Sequence, residues 1–338
     1  MTGIVAVIGA GTMGAGIAQC LAQAGREVIV VEPDPQAVER ARRGLNEAVR
    51  LALLLGRGDR RTALDAARRV HWVERIDELS TAREASRIDF VIECATERIE
   101  LKEQLFAELD RHCAPAAVFA SINSAIPIAR LAAATARPEQ VLGLHFMNPA
   151  PLTDEVEVVR GEQTSPATLK RATELLTALG KEAIVVGDRP GFVINRLLML
   201  TIAEAAATLD TGVDAETVDA LFERCLGHRM GPLRTADLIG LDNVADTIEV
   251  LRRETGEDHY RVPPALEKLV TAGHFGRKTG QGFHDYRCHR RDHRQPGRRH
   301  PGGPAPPERC PTRRAHHRRP VLRPLCRADR SPGCGHPA

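Results

Sequence analysis

The sequence predicts an α/β protein, a doubly wound and largely parallel sheet followed by an all-helical domain. Three observations carry that expectation. Short apolar runs alternate with helix-like stretches through the first half of the chain. The first of those runs opens into a glycine-rich turn. After Asp188 the pattern changes, and apolar residues recur at helical spacing. Apolar runs this short suit parallel strands covered on both faces, and their alternation with helices is the signature of a doubly wound sheet.

In chain order, residues 3–8 (GIVAVI) read as a buried strand, followed by a glycine turn and a helix to about Ala24. Residues 28–32 (VIVVE) read as the second strand. The Arg-, Ala- and Leu-rich stretch at about 35–68, broken at GRGD (56–59), reads as a helical hairpin projecting from the sheet. Further strands are expected at 88–93, 117–122, 141–146 and 182–186. This places a nucleotide-binding domain at 1–187. The helical pattern from PGFVINRLLML onward places a second domain at 188–286.

Composition narrows the function classes. The chain has 338 residues, 43% of them hydrophobic, enough for two domains. It has no apolar stretch of 18 residues, so no transmembrane helix is expected. The start MTGIVAVIGAG lacks the charged region of a signal peptide. The eight cysteines form no CxxC pair, which points to a reduced, cytoplasmic protein with buried thiols rather than a disulfide framework. From Arg287 onward there are 14 Arg, no Lys and 3 acidic residues, a net of +11, so residues 1–286 carry −8. The basic segment 287–338 is rich in Arg, Pro and His and poor in large apolar residues, and is expected to be disordered. Its cysteines and histidines lack zinc-site spacing, and its arginines lack interleaved aromatics, so neither a metal nor nucleic acid is expected there. Its abrupt onset and bias fit the translation of a shifted reading frame.

The glycine turn reads Gly9-x-Gly11-x-x-Gly14. It follows a strand, opens a helix, and precedes an acidic strand end at Glu32, the context that a Rossmann-type dinucleotide site requires. Gly9 permits the tight turn, Gly11 lets the backbone approach a pyrophosphate, and Gly14 lets helix and strand pack closely. Thr12 and Met13 open the helix whose free N–H groups would meet the pyrophosphate. Glu32 would accept hydrogen bonds from ribose hydroxyls and repel a 2′-phosphate, and no Arg follows until Arg40, so NAD is expected over NADP. The bland alternative is a strand-turn-helix without a ligand.

The segment 144–158, LHFMNPAPLTDEVEV, places His145 at a strand end and Glu155 and Glu157 on one face of an alternating strand. A histidine there is either a general base, titrating near neutrality, or a hydrogen-bonded structural imidazole. On spacing alone, either glutamate is able to orient it.

Together, IGAGTMGAGIAQ, HFMNPAP, VEVV, DRPGFVINRLLM, MGPLRTADLIGLD and GRKTGQGFHDY resemble, in the same order, segments of the 3-hydroxyacyl-CoA dehydrogenases, especially their 3-hydroxybutyryl-CoA branch. The resemblance covers about 1–286. It implies NAD-dependent, reversible oxidation of a short-chain L-3-hydroxyacyl-CoA, a homodimer formed through the helical domain, and no nucleic-acid or membrane partner. It implies His145 as base and Glu157 as its partner, with Ser124 and Asn195 on the substrate oxygen and Glu97 and Lys102 bordering the cofactor. Lys102 alternatively reads as part of a solvated helix face. Two departures stand out. Where the family usually has Asn-Thr-Ser-Ser, this chain has Ile122-Asn123-Ser124-Ala125, and Ser124 and Asn123 alternatively make local turn bonds. Thr153-Asp154-Glu155 replaces an apolar-Lys-apolar sequence, placing acid near a site for anionic CoA, while Arg57, Arg60 and Arg61 at the hairpin tip are candidate phosphate contacts or a solvated loop. A related hydroxyacid or sugar-acid dehydrogenase, or a catalytically weak NAD-binding protein, are the competing readings.

Because 287–338 carries no apolar periodicity, truncation after Arg287 is expected to leave turnover intact and to move the melting temperature by less than about 5 °C. Side-by-side assays and melts of the two chains check this.

Overall fold

The computed structural model describes residues 3–54, 65–81 and 85–287, all within one unit, Met1–Asp292. The hairpin tip with Arg57, Arg60 and Arg61, and the basic segment from residue 288, lie outside the described residues. Eight strands form one sheet: β1 (Ile4–Ile8), β2 (Val28–Val31), β3 (Val70–Val73), β4 (Ile88–Glu93), β5 (Val118–Ser121), β6 (Val141–Phe146), β7 (Glu155–Arg160) and β8 (Glu182–Gly187). Their order is β3-β2-β1-β4-β5-β6-β7-β8. Helices among the described residues between these strands include α1 (Thr12–Gln23), α2 (Pro35–Leu54), α3 (Glu78–Thr81), α4 (Ile99–His112), α5 (Ile128–Ala132) and α6 (Pro166–Ala178).

The apolar runs are explained by burial on both sides. Val5, Val7, Val28, Val30 and Ile92 face one core, and Ile4, Ala6, Ile8, Ile29 and Val91 face the other. Strand order reverses between β1 and β4, which opens a crevice at their carboxyl ends. The glycine turn lies there.

Three features depart from the sequence expectation. VHWV forms the edge strand β3, paired with β2, directly after the stretch read as a hairpin. It is too short, and too polar on its outer side, to stand out as a run. β7 reverses direction, pairing antiparallel with β6 and parallel with β8. β8 is apolar in sequence yet exposed, with Ile184 and Val185 about half accessible, because it is the last strand of the sheet.

Among the described residues, five helices follow: α7 (Ile194–Thr208), α8 (Ala215–Cys225), α9 (Pro232–Ile239), α10 (Leu241–Thr255) and α11 (Pro264–Thr271). Their inward faces, including Met199, Ile202, Leu233, Ile248 and Leu251, form a third core that contains no strand residue. Of the described thiols, Cys20 and Cys113 are buried, Cys94 is half-buried and Cys225 is exposed, the last against the expectation of burial; all four are free.

Two buried aspartates pin the chain from Gly276 to Arg287 onto this bundle. Asp237 of α9 accepts from the N–H groups of Phe283 and His284 and from the Tyr286 hydroxyl, each at 2.9–3.0 Å. A Cβ at Gly282 would collide with that carboxylate. Asp219 of α8 accepts from Leu233 N and Arg234 N at the start of α9, and lies 2.7 Å from His284 Nε2. Glu216 lies 3.2 Å from the other ring nitrogen. The Asp219 carboxylate raises the His284 pKa against the opposing effects of burial and Arg234, with Glu216 assisting. Stability from this contact is therefore complete below about pH 6.5, the unfolded imidazole value, and fades as the pH rises through the higher folded value. Melts from about pH 6 to about pH 9 are expected to fall, and His284→Gln is expected to flatten that slope.

Candidate active site

His145 and Glu157 are direct cross-strand partners in the antiparallel β6–β7 pair. Side chains at such positions stand about 5 Å apart on one face, and here Nδ1 lies 2.6 Å from Oε2. The other carboxylate oxygen, Oε1, accepts from Val193 N at 3.1 Å and Ile194 N at 3.0 Å, at the start of α7. The helix N-terminus thus presents its unpaired N–H groups to a carboxylate. Burial pushes the Glu157 carboxyl up, but the His145 contact and the two backbone N–H groups outweigh it and hold the group below the usual carboxylate range. Glu157 is therefore ionised and can only accept, so Nδ1 carries a proton, and in the neutral imidazole the lone pair lies on Nε2. Among the described residues, Nε2 has no protein partner. Glu155 is exposed and lies beyond the β6–β7 register, so His145 is not its cross-strand partner.

Phe192 packs edge-on against the imidazole at 5.6 Å between centroids and adopts a left-handed φ of 52°. An aromatic residue there is strained. Its neighbours hold it: Asp188 caps α5 through Ile128 N and Ala129 N at 2.9 Å, and Val193 and Ile194 are held by Glu157.

Ser124 and Asn195 come together across 71 residues of sequence, Asn195 Nδ2 donating to Ser124 O at 3.1 Å. The Ser124 hydroxyl has no protein partner among the described residues. Glu97 is exposed, and its Oε1 accepts from Ser124 N at 2.7 Å and Ala125 N at 3.1 Å. Lys102 is not on a solvated face. It is 1% exposed, with Nζ 2.7 Å from both oxygens of buried Glu93 and 3.1 Å from Ala95 O. Any effect it has on a cofactor passes through Glu93 and the 94–97 turn.

A cleft of about 550 Å³ lies over the glycine turn, lined by Gly9, Gly11, Glu32, Ala37, Ile76 and Thr96 among others. Gly9 has φ +102° and Gly14 sits so close that a Cβ would collide with the Gly9 carbonyl. A Cβ at Gly11 would meet nothing within 4 Å, so the space above it is open to a ligand. Thr12 is exposed at the helix start and Met13 is half-buried against the core. Glu32 also braces the turn: Oε2 accepts from Ala10 N at 2.8 Å and Oε1 from Asp34 N at 2.9 Å. Open backbone over Gly11, unpaired N–H groups at the start of α1 and an acidic wall fit a dinucleotide.

Sequence reasoning missed Glu93, Phe192 and Lys181. Lys181 is buried, with Nζ 2.8 Å from Ala150 O and 2.5 Å from Thr153 O, and it pins the β6–β7 connection. The same connection packs on α1, where a Cβ at Gly16 would lie 3.2 Å from Pro151 Cδ. A lysine after a helix carries no sequence signal of burial. Asp154 and Glu155, the acidic departure, are both exposed.

Residues 4–189 match the family model described as 3-hydroxyacyl-CoA dehydrogenase, NAD binding domain, and residues 191–286 match that described as 3-hydroxyacyl-CoA dehydrogenase, C-terminal domain. A probable 3-hydroxybutyryl-CoA dehydrogenase of Bacillus subtilis is 41% identical over 283 residues, covering 83% of this chain and 96% of that one. The human mitochondrial hydroxyacyl-coenzyme A dehydrogenase is 33% identical over 290 residues, covering 84% and 91%. The crystal structure of (S)-3-hydroxybutyryl-CoA dehydrogenase PaaH1 from Ralstonia eutropha is similar with a TM-score of 0.79 at 35% identity, covering 85% and 99%.

With Glu32 walling the cleft, kcat/KM is expected to favour NADH over NADPH, and Glu32→Ala is expected to weaken NADH binding and narrow that preference. Paired assays with the two nucleotides decide it; a preference for NADPH removes Glu32 from this role.

Proposed function

Because the chain belongs to the 3-hydroxyacyl-CoA dehydrogenase family, we propose that it interconverts short-chain L-3-hydroxyacyl-CoA and 3-ketoacyl-CoA, with 3-hydroxybutyryl-CoA and acetoacetyl-CoA as the preferred pair. The observation that carries the reading is the ionised Glu157 against His145 Nδ1, which leaves Nε2 without a partner among the described residues, while the same carboxylate receives the N–H of Ile194, the residue before Asn195.

Oxidation of a secondary alcohol removes the hydroxyl proton as hydride leaves the same carbon. His145 Nε2 takes that proton, and Glu157 stabilises the resulting imidazolium while fixing its tautomer. The Ser124 hydroxyl and the Asn195 carboxamide hold the substrate oxygen as it becomes a carbonyl. In the reverse direction the imidazolium returns the proton. NAD, when bound, would supply the hydride acceptor; Gly9, Gly11, Thr12, Met13 and Gly14 would hold its pyrophosphate, Glu32 its ribose, and Glu97 would border it. The N–H groups of α1 and the open face of Gly11 support that placement.

The boundary near 188 separates the sheet domain from helices that would cover the acyl group and pair two copies. Exposed Leu197 on α7, Leu221 on α8, Leu226 just after it and Leu238 on α9 support a homodimer through these helices. A cytoplasmic place is supported by the free thiols. No described helix is long and apolar enough to cross a membrane.

His145→Ala is expected to lower kcat by about two to four decades with NADH binding retained. Glu157→Gln, which keeps an acceptor for Val193 N and Ile194 N but loses the charge, is expected to lower kcat as well, and Glu155→Gln to leave it nearly unchanged. Consumption of NADH with acetoacetyl-CoA measures all three. No turnover by the wild-type chain across acyl lengths refutes the reading.

A further inference from the structure

Below the candidate site lies a buried polar chain that the mechanism does not use. Glu93 ends β4 fully buried. Its two oxygens receive Lys102 Nζ, and Oε1 also accepts from Ala95 N at 2.6 Å. Oε2 accepts from the hydroxyl of Ser121, at the end of β5, at 2.7 Å. The Ser121 oxygen in turn accepts from Asn123 N at 3.3 Å and Asn123 Nδ2 at 3.2 Å. Ser121 and Asn123 are 0% and 2% exposed. Asn123 Oδ1 has no hydrogen-bond partner among the described residues.

The chain of bonds has two ends, and both are functional. One is the 94–97 turn, which walls the cleft over the glycine turn with Ala95 and Thr96 and carries Glu97. The other is the Ser124 loop. Glu97 and Asn195 tie that loop at Ser124 and Ala125, and the Ser121–Asn123 bonds tie it from beneath. A buried carboxylate is costly unless paired and fully hydrogen-bonded, and the Lys102 ammonium meets that need here. Removing Lys102 or Glu93 would leave a bare charge and test only folding. Ser121 is the neutral link between the ion pair and the loop.

We propose that Ser121 is a positioning residue of the reaction: through its bonds to Glu93 and Asn123 it fixes the loop that presents the Ser124 hydroxyl to substrate, in register with the cofactor-side turn. The proposal rests on the dehydrogenase reading for its kinetic consequences. The unpaired Asn123 Oδ1 makes the link fragile, because a buried acceptor without a donor favours states in which the loop opens. The Ser121 hydroxyl therefore opposes that opening.

The experiment is Ser121→Ala in the full chain, with Ser121→Thr as the conservative variant that keeps the hydroxyl. Expected for Ser121→Ala is a loss of roughly tenfold to a hundredfold in kcat/KM for acetoacetyl-CoA, with the NADH dissociation constant held within about twofold and faster amide exchange at Ser124 and Ala125. Ser121→Thr is expected to recover most of the activity. Unchanged kcat/KM in Ser121→Ala overturns the proposal, as does a loss matched by NADH affinity and melting temperature and not recovered by Ser121→Thr. If Ser121→Ala does not fold, Asn123→Ala, which removes only the Nδ2 bond, is put through the same comparison. Wild-type inactivity across acyl lengths would refute the dehydrogenase reading alone. Amide exchange then decides this one, and exchange unchanged in Ser121→Ala overturns it.

Discussion

The Glu157 carboxylate joins the two halves of the described chain. One oxygen holds the imidazole on β6 and the other receives the first N–H groups of α7. The sheet's chemistry and the helical bundle's first turn therefore share one anion. The burial that would neutralise a carboxyl is offset by the donors around it. Phe192 keeps its left-handed backbone and its place against the imidazole between that anchor and the Asp188 cap on α5.

A second buried carboxylate, Glu93, has a different office. It touches nothing that reacts, yet the cofactor-side turn and the Ser124 loop both trace back to it. The site thus divides into groups that meet ligands and groups that hold those in place. Lys102 and Lys181 belong to the second kind: one is held by a carboxylate, the other by the carbonyls of Ala150 and Thr153.

Much of this was legible in the residues. The parallel strands β1, β2, β4, β5 and β6 show as apolar runs because both faces are covered. Gly9, Gly11 and Gly14 show because backbone geometry allows little else at the turn. β3 was hidden, since its four residues include the exposed, polar His71 and only Val70 is fully buried. The reversal of β7 was hidden too, because alternation reports which face a side chain takes and not which way the strand runs. Spacing alone left Glu155 and Glu157 equivalent; pairing with β6 separates them. The burial of Lys102 and the orphaned oxygen of Asn123 depend on atoms far away in sequence, which periodicity does not record.

The cross-strand pairing of His145 with Glu157 also bears on which changes of length the site tolerates. Their separation in space is set by the sheet register, while their separation in sequence is set by the connection at 147–154. Lengthening that connection leaves the two side chains facing each other. A single residue inserted inside β7 before Glu157 turns the carboxylate to the opposite face. This pair therefore constrains the phase of the strand beneath the site and not the length of the rim above it.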